Sequence, residues 1–154
     1  MPSADNQQGR LNEKLTPEYI VGVVDGEGYF SVSATVNRSQ GYDLHNVKVV
    51  FGIKLNEEDG QILYLIKDWF GCGQVRFRED KRKNFSNCLE YQVRDTESIT
   101  KVIIPFFRKY PLKFPKKKRA FTKFIEITEM KNRKDHIGEK GFTKVQYLAR
   151  QLHI

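Results

Sequence analysis

Between Phe30 and Asn37 apolar and polar side chains alternate, with Phe30, Val32, Ala34 and Val36 on one side and Ser31, Ser33, Thr35 and Asn37 on the other. A period of two puts successive side chains on opposite faces of an extended chain, so the segment predicts a strand with one wet face. "HNVKVVFGIKL" repeats the arrangement, Val47, Val49, Phe51 and Ile53 sharing one face while Asn46, Lys48 and Lys54 take the other. Two shorter runs follow suit. In "GQVRFRE" Val75 and Phe77 oppose Arg76 and Arg78, and in "LEYQVR" Leu89, Tyr91 and Val93 oppose Glu90, Gln92 and Arg94.

Around these strands the apolar period lengthens to that of helices. Thr16 is a good N-cap, Pro17 suits a first helical position and Glu18 favours the helix dipole, which predicts a helix over about 17–25. Asn56 predicts a cap for a helix opened by Glu57, Glu58 and Asp59, carrying Ile62, Leu65, Ile66 and Trp69 at helical spacing and stopped by Gly71. Asp95 predicts a helix through about Ile104, where Pro105 interrupts it. A further helix follows Pro115 with Phe121, Phe124, Ile125 and Thr128 on one side, and a last one carries Phe142, Val145, Leu148 and Leu152. Residues 1–14 read as a weakly ordered polar arm, and 15–154 as one domain. The order α-β-β-α-β-β-α with added C-terminal helices is an α+β layout: one four-stranded antiparallel sheet with helices on one face.

Such a sheet leaves its second face bare. That face is polar and cationic on all four strands, and Arg, Lys, Asn and Gln are the side chains that bond base edges in a major groove wide enough for β-ribbons. Net charge sharpens this reading, because 27 Lys and Arg against 19 Asp and Glu give +8, which favours a polyanionic partner. Arg38, the "KRK" of Lys81, Arg82 and Lys83, and the run "KFPKKKR" flank the face with phosphate-neutralising charge. A KKKR run is more often a solvated surface, yet this one opens a helix, where the macrodipole disfavours cations and a bound anion would make better sense of it. No apolar run approaches the ~18 residues that span a bilayer, and the N-terminus lacks a signal peptide's apolar segment, so an intracellular protein is expected. Cys72 and Cys88 lack metal-ligand spacing and read as reduced, half-buried thiols.

"VGVVDGEGYF" places Asp25 and Glu27 where helical periodicity ends. Gly22 and Gly26 lie four apart on one helical face, and interior glycines cost about 1 kcal/mol each relative to alanine. Close approach of a second helix would compensate. If that helix belongs to a second copy, the acids meet in the middle of a basic surface, where they would repel phosphate unless they held a divalent cation such as Mg²⁺.

At these residues the chain resembles the LAGLIDADG homing endonucleases. "IVGVVDGEG", residues Ile20 to Gly28, has the motif's glycines at its third and ninth positions, aspartate at its sixth and an acid at its eighth. "FGCGQVRFR", "IIPFFRKYPLKFPKKKRAF" and the element order extend the likeness over roughly Thr16 to Met130. The resemblance implies a saddle-like sheet and metal-dependent cleavage of both strands of double-stranded DNA, with Mg²⁺ as cofactor, Mn²⁺ substituting and Ca²⁺ supporting binding without cutting. It implies Glu27 as catalytic acid and metal ligand, the Gly26 carbonyl as a further ligand, and Asp25 as a helix-end capping and interface residue. A lysine near the metal water best matches Lys116, with Lys117 and Lys118 as alternatives and as DNA contacts. Leu55 stands where the family often has a water-organising glutamine, which leaves that role unassigned.

One motif serves one strand, so a C2 homodimer is expected, pairing Ile20, Gly22, Val23, Asp25 and Gly26 across a long pseudo-palindromic site. The same surface would also suit an RNA-splicing maturase bound to intron RNA, or a DNA-binding regulator. Neither would need to cut duplex DNA.

Overall fold

The computed structural model describes residues 15–39, 41–82 and 86–154, so the predicted arm and Lys83 lie outside the described residues. Helix α1 (Pro17–Glu27) starts where predicted, the Thr16 hydroxyl accepting from the Tyr19 N–H at 3.1 Å, and runs two residues further than predicted. It buries Ile20, Val21, Val24 and Asp25 and feeds directly into strand β1 (Gly28–Ser39). Strand β2 (Tyr42–Asn56) returns antiparallel to it, and β3 (Gln74–Arg78) and β4 (Cys88–Val93) complete one sheet in the order β1-β2-β4-β3, antiparallel throughout. This is the expected α+β arrangement.

Alternation decides what each face does. Phe30, Val32, Val47, Val49, Phe51, Ile53, Leu89, Tyr91 and Val93 are all buried under the helices. Phe30 sits at the centre, its ring 5.0–6.1 Å from those of Phe51, Phe107, Phe121 and Phe124. Burying one phenylalanine stabilises a fold by about 1.5–3 kcal/mol, so this cluster fixes the sheet beneath its helices. Val36, Phe77 and Trp69 depart from the pattern and stand exposed. Val36 lies where the long β1–β2 ribbon outruns the helices, Phe77 is on the edge strand, and Trp69 turns away from the buried Leu63, Leu65, Ile66 and Phe70 of α2 (Ile62–Phe70).

Two capping expectations need correction. Asn56 accepts from the Glu58 N–H at 2.9 Å and closes a turn, so α2 begins only at Ile62. The short side chain holds the backbone two residues on in place of a helical bond. Gly71 ends α2 as predicted, at φ 72°. Pro105 does not interrupt its helix. The stretch runs as α3 (Thr96–Ser98), a π-helical turn (Ile99–Ile103) and α4 (Ile104–Lys109), with the Ile104 N–H reaching back to the Ile99 carbonyl. The wider turn takes up the proline, which can neither donate nor fit under a regular α-helical carbonyl. Asp95 caps this stretch as expected, accepting from the Ser98 N–H at 2.9 Å.

Helix α5 (Pro115–Asn132) buries Phe121, Phe124, Ile127, Thr128 and Met130 across the sheet. After a 3₁₀ turn (Asp135–Ile137), α6 (Glu139–Leu152) covers the outer half of β1 with the predicted Phe142, Val145, Leu148 and Leu152. Among the described residues no helix is long and apolar enough to cross a membrane.

Candidate active site

The two motif acids part company at the end of α1. Asp25 is buried, and its carboxylate accepts from the Lys113 N–H at 3.0 and 3.2 Å and from the Phe114 N–H at 3.2 Å. Phe114 is the N-cap residue of α5, so Asp25 caps that helix from another element, satisfying N–H groups at its start and opposing its dipole. Glu27 is exposed on the last turn of α1, with no described residue bonding it. Gly28 brings the strand close behind it, since a Cβ there would collide with Val24.

Across the cleft, α5 opens with three lysines. One residue of helix turns a side chain by about 100°, and that step separates their fates. Lys116 is exposed, as is Lys118, while Lys117 is half-buried and donates from its ammonium to the Gly28 carbonyl. Burial pushes the Lys117 ammonium below the usual lysine range, Lys116 adds to the shift, and Asp25 and Glu27 oppose it. The lysine brought against the motif is therefore Lys117, in place of the Lys116 that matched best by sequence. Lys116 lines the same cleft, with Tyr29, Phe30 and Phe114.

Among the described residues no three His, Cys, Asp or Glu side chains converge on one point, so one copy carries no complete protein cage for a metal. What it offers is the free Glu27 carboxylate beside the Gly26 backbone, at a helix end whose last carbonyls lack helical partners. An exposed, oxygen-only set of this kind fits a hard cation that completes its shell with water and phosphate.

The open face of α1 presents Tyr19, Gly22, Val23 and Gly26, and a Cβ on either glycine would meet nothing within 4 Å. Tyr19 joins this stripe at helical spacing, a residue the sequence reading passed over. Ile20 is fully buried inside the chain and Asp25 is spent on α5, so neither side chain is available to a partner, contrary to expectation.

The bare sheet face is as polar as predicted. Ser33, Thr35, Asn37, Lys48, Lys54, Arg76, Arg78 and Arg94 are exposed, and Ser31 and Asn46 half so. Cross-strand pairing lines them up in rows, Ser33 with Lys48, Thr35 with Asn46, and Lys54 with Glu90 and Arg76. Several cations are held by neighbours. Arg38 pairs with Asp43 at 3.4 Å, and Arg82 with Asp80 at 2.7 Å, an interaction that lowers the Asp80 carboxyl to about 2. Glu90 and Gln92 do not stand free either. The Tyr29 hydroxyl donates to Glu90 Oε2 at 2.8 Å and accepts from Gln92 Nε2 at 2.6 Å. Lys81 is exposed beside Arg82, and Leu55 packs toward the core opposite Leu89.

Residues 20–128 match the family model described as LAGLIDADG endonuclease. The chain belongs to that family. It is 30% identical over 131 residues to the homing endonuclease I-ApeII of Aeropyrum pernix, covering 80% of this chain and 71% of that one. It is 37% identical over 100 residues to the probable intron-encoded endonuclease 2 of Neurospora crassa, covering 64% of this chain and only 21% of that longer protein. Among solved structures, the homing endonuclease I-TnaI superposes with a TM-score of 0.75 at 36% identity over 89% of this chain and 87% of that one. I-SmaMI bound to an uncleaved DNA target in the presence of calcium ions gives 0.74 at 29% identity, over 88% of this chain and 44% of that one.

Proposed function

We propose that the chain is a homing-type DNA endonuclease that acts as a homodimer on a long pseudo-palindromic duplex and hydrolyses one phosphodiester on each strand. The observation that carries this reading is the placement of Glu27. An unpaired acid ends a helix whose open face is a glycine stripe, at the margin of a cationic sheet. Pairing two stripes brings two such acids together between two sheets.

In this reading Glu27 and the Gly26 carbonyl would hold Mg²⁺, which would supply Lewis-acid polarisation of phosphate and water. Lys117 places a cation beside the reacting phosphate, close enough to favour charge building on it. Asp25 keeps α5 at the angle that aims Lys117 at the motif. The strands follow the groove, Arg and Asn side chains reading bases while Lys48, Lys54 and the exposed lysines of α5 neutralise phosphate. The test is to incubate the protein and Mg²⁺ with a randomised duplex library and sequence the ends. Paired breaks at one recurrent, two-fold related site are expected. Ends at random positions, or none, would contradict the reading.

A further inference from the structure

Four side chains on the bare face are joined through one hydroxyl. Arg94 Nε donates to Gln92 Oε1 at 2.9 Å, Gln92 Nε2 to the Tyr29 hydroxyl at 2.6 Å, that hydroxyl to Glu90 Oε2 at 2.8 Å, and Arg78 Nε to Glu90 Oε1 at 3.0 Å. The Tyr29 ring has room over its cross-strand partner Gly52, where a Cβ would collide with the hydroxyl end of the phenol. A phenol has one proton to give and one good site to accept, and both are used. Glu90 is only 12% exposed, so its charge is satisfied within the network before any ligand arrives.

From this we infer that Tyr29 is a specificity-determining positioning residue: by fixing Glu90 and Gln92 it holds Arg78 and Arg94 in one preformed arrangement for reading base edges. Both arginines are held through Nε, and among the described residues nothing takes their terminal Nη groups. An Nη pair is the fork that bonds guanine O6 and N7 bidentately in the major groove. Fixing long side chains in advance removes ordering entropy that a free arginine gives up on binding. Burial also holds the Tyr29 hydroxyl up to about 12, so the bridge stays protonated wherever the protein works. Tyr29 sits two residues after Glu27, so the network begins at the edge of the candidate active site.

The inference rests on the proposed DNA-reading role of the sheet. Tyr29→Phe removes the hydroxyl and keeps the ring on Gly52. The wild type and this variant are each selected against a randomised duplex library in Ca²⁺, and the enriched base preferences are compared with those of Arg78→Ala and Arg94→Ala. Tyr29→Phe is expected to lose roughly 3- to 10-fold in discrimination, the scale of one or two hydrogen bonds, at the base pairs where the arginine variants lose it and nowhere else. Affinity for random duplex and its salt slope stay as in the wild type, because phosphate contacts are untouched. Gly52→Ala, which displaces the ring from the other side, is expected to loosen the same positions. A uniform loss across the site would show a merely structural role, and unchanged preferences in both variants would show none, either of which overturns the inference. If the wild type itself enriches no sequence, the DNA-reading function has failed and the positioning role falls with it.

Discussion

Asp25 and Glu27 are two residues apart in one motif, yet one is buried on helix N–H groups and the other is open to solvent. Their substitutions should therefore separate. Asp25→Asn weakens the cap of α5, which is expected to cost about 0.5–2 kcal/mol and to lower the melting temperature, with any loss of cleavage following from misplacement of Lys117. Lys117 predicts the reverse pattern. Its ammonium is held below the ordinary lysine range mainly by burial, so the charged form is disfavoured in the folded state. Lys117→Met is expected to slow cleavage while leaving thermal stability equal or higher. Between its lowered folded pKa and its ordinary value the unfolded state binds more protons, so wild-type stability rises with pH. The gap between variant and wild type, followed by melting from pH 7 to 10, should thus narrow as pH rises. A gap that widens would assign the shift to another group.

Helix α1 is the element on which pairing of two copies depends. Tyr19, Gly22 and Gly26 face outward together with Val23 half-buried beside them, and glycines kept on an open helical face need a neighbour to offset their cost. The wild type is expected to sediment as a dimer at micromolar concentration, and Gly22→Leu as a monomer with an unchanged melting profile at high dilution. A monomeric wild type would contradict the pairing. Much of this element was legible beforehand, since Thr16, Pro17 and Glu18 mark the start of the helix by local chemistry alone. The strands were legible for the same reason, a buried face imposing its period of two. What failed was chemistry decided at a distance. Asn56 could cap a helix or a turn with the same side chain. Pro105 breaks an α-helix unless a π turn absorbs it, and no local signal announced that turn. The lysine beside the motif depended on helix phase within one residue. The Tyr29 bridge depended on register, since only strand pairing puts Gly52 beneath the ring and Glu90 and Gln92 beside the hydroxyl.

For the whole molecule, cationic side chains on the sheet, the 81–82 loop and the start of α5 add up to a surface built for a polyanion. Binding to its target should fall by roughly 10³-fold or more between about 50 and 200 mM salt, as six or more phosphate contacts release counterions. A flat salt dependence would count against the sheet as the contact surface. In the proposed reading, the acid needed for cutting lies on α1 while sequence-reading contacts lie on the sheet, so the two activities should separate. That separation is tested most directly by measuring Mg²⁺-dependent cleavage rate, and affinity in Ca²⁺, for wild type and Glu27→Gln on one duplex target. The amide keeps size and shape but loses the charge that holds the cation, so cutting should be abolished while affinity is retained or raised by removal of a negative charge near phosphate. A Glu27→Gln protein that cuts at close to the wild-type rate would contradict the assignment of Glu27 and the mechanism built on it.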